Sequence, residues 1–276
     1  MPRLKRSKML SVVMVAALLA AAVVAPASAK SCGNDGAGFQ GWLEAFKGRA
    51  ASQGMSNGTI SKTLGSIAYD RNVIRLDRSQ KSFKLSFNQF YARRVSPQLI
   101  SRGRSMMSKH RATLDRMEKR FGVPAEIVIA IWGLETNYGS DRGQGLSIIQ
   151  ALATLAYDCR RSAFFEPQLV AALKIVERGD MSVGQMRGGW AGEIGQTQFL
   201  PLPYLKYAVD FDGNGRRDLV NSVPDVLAST ANFLKAHGWS AGQGWQPGSS
   251  NYGVIGEWNA ASVYQRTIAV MADKLK

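Results

Sequence analysis

The sequence predicts a mainly α-helical protein of the α+β type, with at most a small β-sheet. Two observations carry this. Apolar residues repeat at helical spacing through most of the chain after residue 38, whereas alternating strand patterns are few. In addition, the run from Ile127 to Leu134 is apolar on every side, so a helix there has no face to give to water and must be buried.

The chain opens with Arg3, Lys5, Arg6 and Lys8, runs apolar from Met9 to Ala25, and then reads Pro26-Ala27-Ser28-Ala29. A basic start, an apolar middle and a small-residue A-x-A site predict a secretory signal peptide over residues 1–29. Function therefore belongs outside the cytoplasm, and no later apolar run reaches spanning length. The remaining residues, 30–276, suit one domain, with a helical lobe over about 38–121, a catalytic core over about 122–240 and a closing segment over 241–276. Two cysteines, Cys32 and Cys159, in an oxidising compartment predict a disulfide between the new N-terminus and the middle of the chain. Two free buried thiols are the alternative. A lipid anchor on Cys32 is disfavoured, because Lys30 and Ser31 replace the small apolar residues expected before it.

Phe39, Trp42, Leu43 and Phe46 fall at helical spacing, and Ser56-Asn57-Gly58-Thr59 caps a following helix. Asp77-Arg78-Ser79-Gln80 precedes a segment holding Phe83, Phe87, Phe90 and Tyr91, which are expected to pack the core. Residues 100–121 read as one basic amphipathic helix. Pro124 then suits the first turn of the buried helix, where its missing N–H costs nothing.

Within that helix Val128, Ile131, Trp132 and Glu135 lie at i, i+3, i+4 and i+7. A carboxyl sharing a stripe with large apolar groups loses hydration of its charged form and stays protonated nearer neutral pH, as a general acid requires. The competing reading ends the helix at Leu134 and turns Glu135 into solvent.

A loop at 140–145 leads to helices through Leu152 and from Phe164 to Glu177. Between them, Arg160 and Arg161 either hold substrate or pair with carboxylates, and the sequence leaves both open. From Gly188 to Pro201, glycines at 188, 189, 192 and 195 alternate with Trp190, Gln196, Gln198 and Phe199. Such density lets backbone approach a ligand, and amides with aromatic rings suit the hydroxyls and apolar faces of a sugar. Asp210, Asp212, Asn214 and Asp218 stand at positions 1, 3, 5 and 9 of an EF-hand-like loop with Gly215 at position 6, but Asn221 replaces the Glu of position 12. Calcium and a plain Asx turn both remain open there. Helices through Phe233 and Tyr264 complete the chain.

The formal net charge is +15, and the signal peptide's four basic residues leave +11. An exported protein this basic concentrates near polyanions such as wall polymers. No basic recognition helix, zinc-finger spacing or aromatic RNA-binding motif is present, so nucleic acid is not the expected partner.

Several separated motifs then occur in a familiar order: Phe121-Gly122-Val123-Pro124, Glu135-Thr136-Asn137-Tyr138-Gly139, residues 152–157 with Arg160-Arg161, Gly192 to Pro201, residues 207–213, and residues 231–239. Together they resemble the lytic murein transglycosylase B family. The resemblance implies a lysozyme-like fold with a deep glycan groove, acting as a monomer on peptidoglycan in the periplasm. It implies cleavage between N-acetylmuramic acid and N-acetylglucosamine with Glu135 as the single acid/base and no required cofactor. It further implies Arg160, Arg161, Gln198, Phe199, Trp258, Asn259 and Tyr264 as groove residues. Asp210, Asp212, Asn214, the Arg216 carbonyl and Asp225 match the family's structural calcium loop. Gly189 replaces a serine, Ile194 a methionine, Phe233 a tyrosine and Trp258 a tyrosine, and the spacing before Asp225 is longer.

Ordinary glycosidases use two carboxylates. Asp141 and Glu193 lie in loops with no apolar stripe to tune them, so a one-carboxylate mechanism forming a 1,6-anhydro ring is expected. The rivals are a lysozyme-type hydrolase and a non-catalytic peptidoglycan-binding protein.

Overall fold

The computed structural model describes residues 32–79, 85–141 and 145–276. The expected signal peptide, Gln80 and Phe83 lie outside the described residues. Six helices come first: α1 (Phe39–Ser52), α2 (Asn57–Leu64), α3 (Arg71–Arg78), α4 (Phe87–Arg94), α5 (Pro97–Lys109) and α6 (Arg111–Phe121). They are followed by α7 (Ala125–Thr136), α8 (Ile148–Tyr157), α9 (Ser162–Glu177), α10 (Pro201–Tyr207), α11 (Val223–Ala236), α12 (Ser250–Trp258) and α13 (Ser262–Leu275). The sheet among the described residues is one antiparallel pair, β1 (Leu146–Ser147) with β2 (Arg187–Gly188). The chain is mainly helical, as its periodicity dictates.

Side-chain caps start many of these helices. Ser56, Ser86, Ser96, Ser147, Ser222 and Ser249 each accept a backbone N–H from the first turn, and Asp70 accepts two, from Asn72 and Val73. The single helix expected over 100–121 is broken. His110 leaves helical geometry at φ −106° and ψ 20°, separating α5 from α6. Its ring meets Trp132 edge-on, at 5.9 Å between centroids, so a tertiary contact overrides the local pattern.

The centre of the molecule is α7. Ile127, Val128, Ile129 and Ile131 are fully buried, each burial stabilising by about 1.5–3 kcal/mol. Helices α5, α6, α11 and α13 surround it. No described helix is long and apolar enough to cross a membrane.

On the far side, Cys32 and Cys159 form the expected disulfide, with Cα atoms 4.9 Å apart. The segment beside it pairs with the end of α8: Gly33 N–H donates to the Tyr157 carbonyl and Cys159 N–H to the Gly33 carbonyl. Glycine is required at 33, because a Cβ there would lie 2.0 Å from the Tyr157 hydroxyl oxygen.

The bond closes a loop of 127 residues, for which chain entropy predicts a stabilisation of about 3–5 kcal/mol. Replacing both cysteines with serine is therefore expected to lower Tm by roughly 10 °C, measured by calorimetry against the oxidised parent. An unchanged Tm would show that the N-terminal segment is held by packing alone.

Candidate active site

The apolar sheath of α7 opens at its last turn, and Glu135 stands there. A groove passes on both sides of it. One side encloses about 390 Å³ and is lined by Arg93, Arg94, Arg102, Leu134, Asn137 and Asp141 among others. The other encloses about 410 Å³ and is lined by Glu193, Gln198, Phe199, Phe233, Trp258 and Asn259. Glu135 therefore lies in the groove and not in open solvent.

Two donors hold its carboxyl. Trp258 Nε1–H reaches Glu135 Oε1 at 3.0 Å, and the Tyr264 hydroxyl reaches the same oxygen at 2.9 Å. These are the hydrogen bonds to Glu135 among the described residues, so Oε2 is the oxygen available to carry a proton. Desolvation pushes the carboxyl above the usual range, against the Trp258 and Tyr264 hydrogen bonds and the Arg94 charge, which favour ionisation. The Glu193 charge adds to the rise. Tyr264 is itself held well above its ordinary range by burial and by the Glu135 charge, so it remains a neutral donor.

Each partner is positioned in turn. Asn259 Oδ1 accepts the Ala261 N–H at 3.0 Å, fixing the turn from α12 to α13 and hence Trp258 and Tyr264 together. Phe199, Phe233 and Trp258 form an edge-to-face triangle with centroids 5.1–6.1 Å apart, so the two departures Phe233 and Trp258 pack against each other. Arg94, which the sequence reading missed, donates to the Leu134 carbonyl at 2.6 Å, and its charge acts on both Glu135 and Tyr264.

The end of α7 is locked to the Gly-rich loop. Trp132 Nε1–H donates to Gln196 Oε1 at 3.0 Å, the Thr136 hydroxyl donates to the Gln196 carbonyl, and Gln196 Nε2–H donates to the Val220 carbonyl. A bridge between Ile194 and Phe199 turns that loop tightly and holds Gln198 at φ 55°, a left-handed conformation costing about 1–3 kcal/mol in a non-glycine residue. Its Nε2–H donates to the Gly195 carbonyl at 2.7 Å. Neither Thr136 nor Gln196 carries a periodic signal that would single it out.

Arg160 and Arg161 resolve toward carboxylate pairing. Both bind Asp77, which is 2 % exposed, and Arg78 joins Asp77 to Asp158 at 2.6 and 2.7 Å. Burial alone would raise Asp77, but the hydrogen bonds from Arg160 and Arg161 hold it below the usual carboxyl range. Neither arginine lines the two pockets at Glu135, although Arg161 stacks near Trp190, at 6.0 Å from its ring, and its charge reaches Glu193.

One expectation is overturned. Asp141 is exposed, but Glu193 is strongly desolvated in the same pocket as Glu135, which raises its carboxyl above the usual range. Loop position does not prevent burial when the loop folds inward, and so Glu135 has a neighbouring carboxylate.

In the EF-hand-like loop, carboxylate oxygens of Asp210, Asp212 and Asp225 converge within 4.8 Å of one another. Asp225 is buried and accepts N–H groups of Phe211, Asp212 and Asp218, while Asn214 Oδ1 accepts that of Arg216. The loop is stitched as an Asx turn, and its converging hard oxygen donors also fit a divalent cation.

Comparison with known proteins agrees with this geometry. The sequence is 36% identical over 149 residues to membrane-bound lytic murein transglycosylase B of Escherichia coli K12, an alignment covering 54% of this chain and 41% of that protein. The chain thus matches under half the length of this relative. Among solved structures it superposes on SltB3 of Pseudomonas aeruginosa in complex with NAG-anhNAM-pentapeptide, with a TM-score of 0.80 and 33% identity, covering 86% of this chain and 79% of that one. It superposes on soluble lytic transglycosylase SltB1 of the same organism with a TM-score of 0.78 at 23% identity, covering 84% and 97%. The fold is the lysozyme-like one of lytic transglycosylases. Residues 38–249 match the Transglycosylase SLT domain, and the chain belongs to that family.

Proposed function

We propose that this chain is a lytic transglycosylase that cleaves the β-1,4 bond between N-acetylmuramic acid and N-acetylglucosamine in peptidoglycan, leaving a 1,6-anhydro-muramyl end. The observation that carries this reading is the Glu135 carboxyl, desolvated and held by Trp258 and Tyr264 where two halves of a groove meet. Family membership and the anhydro-muramyl ligand of the 33%-identical relative support it. Glu135 protonates the glycosidic oxygen, the substrate's own acetamido group stabilises the developing cation, and Glu135 then accepts the proton of the attacking C6 hydroxyl. The groove residues Gln198, Phe199, Trp258, Asn259 and Tyr264 shape the sugar site, while Arg160 and Arg161, paired with Asp77, would act on substrate only beyond the two pockets at Glu135. Export by the basic, apolar N-terminus would bring a chain of net charge +11 to the anionic wall. We also read Asp210, Asp212, Asn214, the Arg216 carbonyl and Asp225 as a structural calcium site, which would brace the loop and take no part in the chemistry.

Glu193 favours one second reading, a hydrolase in which that carboxylate activates water. Product masses separate the two. On purified sacculi the parent should release anhydro-muropeptides, and Glu135→Gln should lower the rate by about 10²–10⁴-fold. Hydrated reducing ends would make the enzyme a hydrolase, and undiminished clearing by the variant would remove Glu135 from the chemistry.

The acid must be protonated, so the rate is expected to fall as pH rises through the raised pKa of Glu135. Tyr264→Phe removes a hydrogen bond to the charged form. The alkaline limb of its pH–rate profile should move to higher pH, and a shift the other way would contradict this assignment.

Calcium at a hundred-fold excess over Kd should raise Tm by on the order of 5 °C, and Asp212→Asn should abolish most of that shift. Equal shifts in parent and variant would place any bound calcium elsewhere.

A further inference from the structure

Glu193 is a pocket-lining carboxylate to which the reaction above gives no role. It is fixed by three features. Its Oε2 accepts the Ala191 N–H at 2.9 Å. A Cβ on Gly189 would lie 2.2 Å from that same oxygen, so the carboxyl fills the space a side chain at 189 would take. Arg161 adds an attractive charge. No side chain of the described residues donates a hydrogen bond to it, so within the groove it is an acceptor facing a ligand space shared with Glu135.

A carboxylate recognises a hydrogen-bond donor, and most strongly one that gains positive charge. In the proposed reaction, on which this inference rests, one such donor arises beside the cleaved bond. As the acetamido oxygen attacks C1, positive charge spreads to the acetamido nitrogen and its N–H becomes a stronger donor. We propose that Glu193 accepts this N–H and stabilises the cyclic cation formed from the sugar that Glu135 cleaves.

The step balances without an added reagent. The acetamido oxygen's lone pair forms the bond to C1 while the electrons of the breaking C1–O bond leave with the oxygen, which takes the Glu135 proton. The N–H proton stays on nitrogen, bonded to Glu193. The C6 hydroxyl then attacks C1 and yields its proton to Glu135, the acetamido oxygen leaves C1, and the neutral amide returns. Glu193 takes up no proton. Its contact strengthens as charge develops, so it is stronger in the transition state than in the ground state.

The test uses the thiazoline of N-acetylglucosamine, a stable sulfur analogue of the cyclic intermediate whose ring nitrogen takes up a proton to present the N–H to a facing carboxylate, against the N-acetylglucosamine trimer, with binding read by titration calorimetry. Glu193→Gln is expected to weaken thiazoline binding about ten-fold while changing trimer affinity much less. Gly189→Ala, which displaces the carboxyl, should reproduce the loss. Equal thiazoline affinity in parent and Glu193→Gln overturns the proposal, as does a parallel loss of both ligands, which marks a merely structural residue. Failure here is separable from failure of the functional reading. Hydrated product ends overturn the transglycosylase assignment, whereas anhydro products with unchanged thiazoline affinity overturn only the role of Glu193.

Discussion

A carboxyl at the floor of a groove is pushed toward its protonated form when the helix carrying it is dehydrated on nearly every side. Helix α7 meets that constraint with residues Ile127 to Ile131, none measurably exposed, and with neighbours on all flanks. The reactive group then sits one turn beyond the sheath, where the helix ends in a left-handed cap at Asn137 and the packing opens. Rigidity of the site thus comes from hydrophobic burial, and the groove is the gap that burial leaves.

The groups around the carboxyl come from distant parts of the chain. Arg94 ends α4, Gln196 and Gln198 lie in the Gly-rich loop, and Trp258 and Tyr264 flank the turn between α12 and α13. Trp258, a departure from the family's tyrosine, keeps a donor on Glu135 Oε1 while its indole fills the triangle with Phe199 and Phe233.

Much of this was legible in the sequence because its signals are local. The all-apolar run predicts α7, the Ser56 stretch marks the start of α2, and the cysteine pair predicts its bridge. What escaped depends on long-range packing. The break at His110 comes from its contact with Trp132, which lies on another helix. Arg94 reads as one more surface arginine until α4 lays it on the end of α7. The ambiguity of Arg160 and Arg161 was real, since only the fold brings Asp77 to them across more than eighty residues.

Glu193 shows the same limit with a chemical consequence. Two carboxyls in one pocket can hold different charge states only if their surroundings differ. Glu135 meets an indole and a phenol, neutral donors in a strongly desolvated corner, and the Arg94 charge also acts on it. Glu193 meets backbone N–H groups and the field of Arg161. Desolvation pushes both carboxyls up, and at Glu193 the backbone N–H groups and the Arg161 charge oppose that rise and favour the anion that accepts an N–H. Glu193 also links two positions that look unrelated in the sequence. Gly189 is bare because the carboxyl of residue 193 occupies its side-chain space, so a glycine in place of the family's serine and a glutamate four residues later form one structural unit.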